Sequence, residues 1–255
     1  MVKASSGPPT IVIHSLPAFG GAGLGVILPA LGTQACPLPS VWLTATANYA
    51  ESKRWAESAI AEKLDAQVNF LRGQGHIPDL FIGYLGEVSQ AKSLDQWLSQ
   101  WREQLGKVWI DPISGDSGKA YVSADLVAAW SNLIKHADVL IPNSTEFSLL
   151  SSAEGIDRKA WIAKYTRKAL IIETSAQSPS GNFGIGIHTD DDSYFVEVNW
   201  EPGHYSGTGD LFASYLIASI GQGWAWDAAV KRAAELVRKK IQKTRESGSY
   251  SLILP

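Results

Sequence analysis

The stretch Ser206-Gly207-Thr208-Gly209-Asp210-Leu211-Phe212 places two glycines and an acid between two patterned segments of the chain. Residues 195–200 before it alternate in polarity, as a strand does. After it, apolar residues recur at three- and four-residue steps up to Gly221, which predicts a helix that begins near Thr208. Two glycines at a helix start leave backbone N–H groups open to an anion, and the helix dipole adds positive partial charge there.

Asp210 is then expected in the first turn of the helix, beside that anion. A carboxylate beside a phosphate is repulsive unless it has a chemical task, such as accepting the proton of a hydroxyl that attacks phosphorus. The alternative is a glycine turn in which Asp210 only stabilises the helix start. Short glycine motifs often occur without function, so the motif alone leaves both interpretations open.

The composition limits the classes of partner. The 255 residues fit one large α/β domain, so we expect a single domain over residues 1–255. The net charge of −3, with no basic cluster, argues against nucleic acid and anionic membranes as partners. Cys36 is the only cysteine, which excludes an intrachain disulfide and a CxxC zinc site.

Residues 4–50 contain no Asp, Glu, Lys or Arg, and residues 16–32 are apolar enough to resemble a membrane span. Pro17, Pro29 and the glycines interrupt that segment, and basic flanking residues are missing. The broken apolar run is also a poor signal peptide. We therefore expect a core segment that lines a small-molecule pocket, in a cytoplasmic protein that does not span a membrane.

Strand-like and helical patterns alternate along the chain. Strands are predicted at 10–13, 34–42, 79–82, 107–110, 137–141, 168–173, 183–188, 194–200 and 251–254. Helices are predicted at 24–31, 51–73, 94–105, 126–133, from 145, 161–165, 208–220 and 226–244. The alternation indicates an α/β fold with a mostly parallel sheet and helices on both faces.

Polar or glycine residues follow most of the predicted strands: Ser15, residues 84–86, Asp111, Asn143 and Thr174. In open α/β sheets, ligands bind in the crevice beyond the carboxyl ends of the strands. The repeated coincidence predicts one site there.

The motifs, taken together, resemble a known family. Asp111-Pro-Ile-Ser-Gly-Asp-Ser-Gly118, Ile141-Pro-Asn-Ser-Thr-Glu146 and Gly207-Thr-Gly-Asp210 have the order and spacing of the ribokinase-like vitamin kinases. Gly83-Tyr-Leu-Gly86 and the segment 14–41 are similar to the pyridoxal kinase branch. The resemblance covers essentially the whole chain. It implies a three-layer α/β/α sandwich and a homodimer that phosphorylates the 5′-hydroxymethyl group of pyridoxal, pyridoxine or pyridoxamine.

The resemblance also implies the cofactors ATP and Mg²⁺, and leaves open a monovalent cation such as K⁺. Asp210 would be the base, and the amides of Gly207, Thr208 and Gly209 would bind the transferring phosphoryl group. The implied ATP and Mg²⁺ residues are Asp111, Asp116, Asn143, Glu146, Thr174 and Ser175, with Asn143 and Glu146 organising the metal partly through water. The implied substrate contacts are Ser15, Ser40 and Tyr84, with Tyr121 closing over the ring.

Several alternatives stay open. Asn143 and Glu146 could be only the N-cap and first-turn acid of a helix, and Thr174-Ser175 only a turn after a strand. Thr44-Ala45-Thr46 stands where the family often has a histidine-containing run, which puts the vitamer preference in doubt. Two other functions are compatible with the motifs. One is a hydroxymethylpyrimidine kinase, which Gly20-Gly-Ala-Gly23 resembles, and the other is a non-catalytic vitamin-binding relative.

Overall fold

The computed structural model describes residues 7–46, 49–178, 180–199, 201, 205–249 and 251–252. The strands in these ranges are β1 (Thr10–Pro17), β2 (Ala35–Leu43), β3 (Arg54–Ala56), β4 (Asp79–Ile82), β5 (Val108–Ile110), β6 (Gly115–Asp116), β7 (Lys119–Ala120), β8 (Val139–Leu140), β9 (Leu170–Gln177), β10 (Phe183–His188) and β11 (Ser193–Glu197). The helices are α1 (Leu24–Leu31), α2 (Ile60–Gly73), α3 (Val88–Trp101), α4 (Ala124–Leu133), α5 (Ser144–Ala153), α6 (Arg158–Tyr165), α7 (Thr208–Gly221) and α8 (Trp226–Glu246).

Among the described residues, nine strands form one sheet in the order β11-β10-β9-β8-β5-β4-β1-β2-β3. The six strands from β9 to β2 are parallel, and antiparallel pairs lie at both edges. The chain runs outward from β1 to β2 and then returns to β4 on the other side of β1. This reversal separates the two halves of the sheet at β1 and β4, and folds of this topology bind ligands beyond the carboxyl ends of the strands at such a point.

The alternation of side chains along the parallel strands separates two cores. Ile11 and Ile13 of β1 pack in the core beneath α2 to α6, whereas Val12 packs with Phe81 beneath α1, α7 and α8. Period-two alternation therefore assigns each side chain of a strand to one helical layer. The result is a sandwich of two helical layers around a mostly parallel sheet.

Backbone hydrogen bonds continue beyond the strands and align their carboxyl ends. The Gly83 N–H donates to the Ile13 carbonyl, and the Asp111 N–H donates to the Ile82 carbonyl, both at 2.9 Å. The Thr174 N–H donates to the Pro142 carbonyl, also at 2.9 Å. These bonds align the segments that follow β4, β5 and β8 with the neighbouring strands β1, β4 and β9 at the same edge of the sheet.

The predicted helix over 51–73 is wrong in its first half. Residues 54–56 form the edge strand β3, and α2 begins only at Ile60. Trp55 pairs with Trp42 of β2, and their ring centroids are 5.1 Å apart. A cross-strand pair of large aromatic rings stabilises a sheet edge, and this non-local contact overrides the local apolar spacing.

Other predicted elements also differ from the structure: β1 continues through Ser15 to Pro17, and α3 begins at Val88. Thr174 and Ser175 are not a turn, because β9 continues through them to Gln177. Of the predicted strand 251–254, Ser251 and Leu252 are not in a strand, and residues 253–254 lie outside the described part of the chain. No helix among the described residues is long and apolar enough to cross a membrane.

Candidate active site

The start of α7 is a glycine turn with an open helix end. Gly207 has φ +86° and caps the helix without a side chain. A Cβ atom at Gly207 would lie 2.4 Å from the carbonyl oxygen of Gly21, so the turn has no room for another residue type. Gly209 has nothing within 4 Å of an added Cβ. Gly207 therefore leaves the first N–H groups of α7 without a cap from its own side chain, and the binding of an anion there stays a prediction.

Asp210 is buried behind this turn, and its side chain is only 8% exposed. Its Oδ2 accepts the Gly23 N–H at 2.6 Å, and its Oδ1 lies 3.1 Å from Nε2 of His14. Burial raises the pKa of a carboxyl group, but the His14 imidazole and the Gly23 N–H outweigh it and hold the pKa of Asp210 below its usual range. Asp210 is therefore an ionised carboxylate, the form that a proton acceptor needs.

His14 is the site residue to which sequence reasoning assigned no role. The alternation along β1 places His14 on the same face as Val12, toward α7, and this parity was the available signal. Its Nδ1 accepts the Ser15 N–H at 2.9 Å. Its ring lies against Gly83, where a Cβ atom would be 2.1 Å from Cδ2 of the imidazole. The glycine that follows β4 is therefore required to accommodate the ring.

Two more carboxyl groups, Asp111 and Glu146, are buried near Asp210. The pKa of Asp111 is raised well above its usual value by burial, and then by the charges of Glu146 and Asp210. Burial also raises the pKa of Glu146 to about 8, although the N–H groups of Asn143, Ser114 and Gly115 oppose the shift. The site thus holds more carboxyl groups than its protein surroundings keep ionised at neutral pH.

Asn143 and Glu146 form a reciprocal capping box at the start of α5. Asn143 Oδ1 accepts the N–H groups of Thr145 and Glu146 at 2.8 and 2.9 Å, and Glu146 Oε2 accepts the Asn143 N–H at 2.8 Å. Asn143 Nδ2 also donates to the Gly115 carbonyl at 2.9 Å. The capping role that the sequence left as an alternative is present, and any role toward a metal would be additional to it.

The 114–121 segment places Asp116 and Tyr121 at the mouth of the crevice. Asp116 lies in the β6–β7 hairpin and is exposed. Tyr121 is half-exposed, and its pKa is raised by desolvation and then by the charges of Glu146, Asp111 and Asp210. Tyr121 therefore lies within electrostatic range of the carboxyl groups, and its closing over a substrate stays a prediction.

Thr174 and Ser175 form an irregularity in β9 at the opposite side of the crevice. The register between β9 and β10 shifts there, and Ser175 has φ +55°. The Ser144 hydroxyl donates to the Ser175 carbonyl at 2.8 Å and to Glu173 Oε1 at 3.1 Å. Arg158 pairs with the same buried Glu173. This network holds the predicted nucleotide-contacting residues in a bulge rather than in a turn.

The predicted substrate contacts differ in their placement. Ser15 is buried beside His14, with its Oγ 3.3 Å from Nδ1. Tyr84 is half-buried directly after Gly83. Ser40 is fully buried, and its hydroxyl donates to the Tyr84 carbonyl at 2.5 Å. Ser40 thus supports the segment that carries Tyr84, and a direct contact of Ser40 with a substrate stays a prediction.

The carboxyl groups fit a bound cation through their charge rather than through a complete ligand set. No group of three or more His, Cys, Asp or Glu side chains in the described ranges is arranged to hold a metal ion. The charges of Glu146 and Asp210 nevertheless raise the pKa of Asp111, and a divalent cation would relieve that repulsion. Carboxylate oxygens suit Mg²⁺, which retains several water ligands when it binds to proteins.

Comparison with known proteins decides the family. The model of the phosphomethylpyrimidine kinase family matches residues 18–254. The chain belongs to this family. The enzyme is a phosphotransferase, and its similarity to pyridoxal kinases of the ribokinase-like superfamily is confirmed by individual relatives.

Two of these relatives are similar over nearly the whole enzyme. The pyridoxine/pyridoxal/pyridoxamine kinase of Bordetella bronchiseptica is 29% identical over 269 aligned residues, which cover 96% of this chain and 92% of the relative. The crystal structure of pyridoxal kinase from Lactobacillus plantarum is 27% identical, with a TM-score of 0.80 over 94% of this chain and 90% of that one.

A third relative supports the fold alone. The pyridoxal kinase from Leishmania donovani, solved with ADP and pyridoxamine, has a TM-score of 0.77 at 24% identity, covering 96% of this chain and 90% of that one. The predicted fold class, a ribokinase-like α/β sandwich with a mostly parallel sheet, is confirmed.

Proposed function

We propose that this kinase transfers the terminal phosphoryl group of ATP to the 5′-hydroxymethyl group of pyridoxal, pyridoxine or pyridoxamine. The observation that carries the proposal is the open glycine turn of α7, with the ionised Asp210 held in its first turn by Gly23 and His14. An anion site and a proton acceptor on the same turn suit an alcohol that attacks phosphorus. The named relatives act on B6 vitamers, which gives the acceptor alcohol.

In the proposed reaction, Asp210 accepts the proton of the substrate hydroxyl as its oxygen bonds to phosphorus and the bond to the ADP oxygen breaks. The amides of Gly207, Thr208 and Gly209 stabilise the charge on the transferring group. Asp210 needs no activation to be ionised, because its pKa is already lowered. Most of the rate enhancement would come from positioning and charge neutralisation.

Mg²⁺ would be held near Asp111, with Asn143 and Glu146 acting partly through water, and it would neutralise charge on the phosphates. The buried and mutually repelling carboxyl groups support this assignment. Thr174 and Ser175 would contact the nucleotide phosphates. A requirement for K⁺ rests on the family resemblance alone.

The substrate contacts form another part of the proposal. Ser15 and Tyr84 would contact the pyridine ring, Tyr121 would close over it, and Ser40 would act on the ring directly or through the segment it supports.

The last part of the proposal concerns the whole protein. We further propose one kinase domain over residues 1–255, assembled as a homodimer in the cytoplasm, as the resemblance implies. Light scattering coupled to size exclusion would measure the assembly.

The test is a coupled ADP-release assay with MgATP and each of the three vitamers, with mass spectrometry of the product. We expect ADP release that depends on the vitamer and a product heavier by one phosphoryl group. Absence of a phosphorylated product with all three vitamers would refute the proposal.

Hydroxymethylpyrimidine is the second candidate substrate, because Gly20-Gly-Ala-Gly23 and the matched family both point to that branch. Parallel assays at matched concentrations would rank the pyrimidine against the vitamers by kcat/KM. A non-catalytic relative would bind pyridoxal without releasing ADP from MgATP.

A further inference from the structure

We propose that His14 is a positioning residue for the base: in the substrate complex its Nε2–H donates to Asp210 Oδ1 and orients it toward the acceptor hydroxyl, while the Gly23 N–H holds Oδ2. This inference rests on the proposed function, because His14 has this task only if Asp210 accepts the substrate proton. It extends that function to a residue of a different element, β1, on the face of the sheet that α7 covers.

The first step of the argument is the direction of the imidazole. His14 Nδ1 accepts the Ser15 N–H at 2.9 Å, so the ring proton lies on the other nitrogen, Nε2. Nε2 is buried, and Asp210 Oδ1 lies 3.1 Å away. The backbone of Ser15 therefore selects the tautomer that presents a donor to the carboxylate.

The second step is the geometry of the contact. Nε2 of His14 makes no aligned hydrogen bond, even though Oδ1 is within reach. A buried donor without an aligned partner is costly, and catalytic hydrogen bonds often tighten only when substrate binds. Oδ2 already has the short bond from Gly23, so Oδ1 is the oxygen with capacity for the incoming hydroxyl. Rotation of the carboxylate would break the Gly23 hydrogen bond to Oδ2 and move Oδ1 away from Nε2.

The third step is the room made for the ring. A methyl group at Gly83 would lie 2.1 and 2.4 Å from Cδ2 and Nε2 of His14, and one at Gly23 would lie 3.1 Å from Nδ1. The backbone on two sides is thus fitted to an imidazole at position 14. A side chain that served only to fill the core would not need its Nε2 to lie against a carboxylate.

The test uses His14→Gln and His14→Asn in the full-length chain. The Gln amide nitrogen reaches the position of Nε2, whereas the Asn amide reaches only that of Nδ1. We expect His14→Asn to lower kcat by about 10- to 100-fold with little change in KM for pyridoxal or ATP, the usual cost of losing an orienting partner. His14→Gln should retain most of kcat.

A double-mutant cycle separates positioning from a general structural role. With Asp210→Asn as background, His14→Asn should cause no further loss of kcat, because the two residues act as a unit. Independent losses that multiply would overturn the inference, as would equal losses for the Gln and Asn variants or wild-type kcat in His14→Asn. Circular dichroism and thermal unfolding would establish that each variant is folded.

Gly83→Ala provides a second route to the same answer that leaves His14 itself intact. The added methyl group should displace the imidazole and lower kcat in the wild type, but it should cost less in His14→Asn, where the ring is absent. An equal cost in both backgrounds would overturn the inference.

The two proposals can fail separately. Wild-type turnover by Asp210→Asn would refute the base itself. Impaired turnover by Asp210→Asn together with normal turnover by His14→Asn would refute only the role of His14.

Discussion

Asp210 and Glu146 occupy the same position in two helices, the third residue of α7 and of α5, and both are buried. Their pKa values nevertheless shift in opposite directions: that of Asp210 is lowered, and that of Glu146 is raised to about 8. The same residue class at the same helix position therefore has two different chemical states.

The difference begins at the residue that caps each helix. Asn143 fills the start of α5 with its own side chain, which accepts two first-turn N–H groups. Gly207 contributes no side chain, so the start of α7 is free for an external anion. Glu146 completes a closed cap, whereas Asp210 turns away from its own helix toward Gly23 and His14. An open helix start with its acid held elsewhere is the arrangement suited to phosphoryl transfer.

The largest expected effect is the loss of the base. Asp210→Asn should lower kcat by roughly 10²- to 10⁴-fold with a modest change in ATP binding, because the amide cannot accept the hydroxyl proton. Steady-state ADP release measures it. Asp125→Asn is the matched control, since Asp125 is an exposed first-turn acid of α4 and should leave kcat unchanged. Equal turnover by the Asp210 and Asp125 variants would contradict the role of Asp210 as the base.

The second prediction tests the opposite pKa shifts. Between its unfolded value of 4.5 and about 8, folded Glu146 holds a proton that the unfolded chain releases, so the free energy of unfolding falls as pH rises. Glu146→Gln removes this pH dependence. Without Mg²⁺, the free energy of unfolding of the variant, relative to that of the wild type, should therefore rise from pH 5 to pH 8.

The corresponding Asp210 variant should behave differently over the same range. The lowered pKa of Asp210 contributes stability that is fully present above 3.8 and is lost only as pH falls through the folded value. The difference between Asp210→Asn and wild type should therefore be flat from pH 5 to pH 8. Urea unfolding at several pH values measures both variants, and parallel curves for the two would contradict the comparison.

The third prediction concerns the open cap. Gly207→Ala should destabilise the protein by about 3 kcal/mol and lower kcat, because the methyl group meets the Gly21 carbonyl in addition to the strain of positive φ. Gly223, just beyond the other end of α7, has φ +85° and open space around it. Gly223→Ala should cost only about 1 kcal/mol and leave kcat unchanged. Denaturant unfolding and the ADP assay would compare the pair.

The smallest effect is expected at the closed cap. Asn143→Ala should lower the free energy of unfolding by about 1 kcal/mol, because α5 loses its side-chain acceptor. Asn143→Asp retains that acceptor, and it should recover part of the loss. An Asp variant no more stable than the Ala variant would argue against the cap as the source of the effect.

The sequence predicted those parts of the fold that depend on local signals. The ends of α7 and the strand Asp79–Ile82 agree with the structure, because glycines and apolar spacing mark them directly. The strand around Trp55 could not be predicted in this way. It is stabilised by a contact with Trp42 in another strand, and the spacing of apolar residues within one segment carries no information about that contact. The bulge at Ser175 likewise depends on Ser144, a residue of another element.

The candidate site likewise contains residues that local motifs predict and residues that only tertiary packing brings in. The anion turn and Asp210 follow from a contiguous motif, and the acidic residues follow from their places after strands. His14 could not be assigned a role in this way, because a single histidine in a buried strand looks like a core residue until the start of α7 is placed above it. Position 14 meets position 210 through the packing of α7 on the face of the sheet that carries His14.

The tight packing around Asp210 has a consequence for mutational tolerance. Gly23, Gly83 and Gly207 each leave no space for even one extra carbon, so sequence drift or redesign on that side would disturb several neighbours at once. Adapting the enzyme to a bulkier acceptor alcohol should therefore proceed from Tyr84 and Tyr121, the proposed ring contacts that lie outside this tightly packed side.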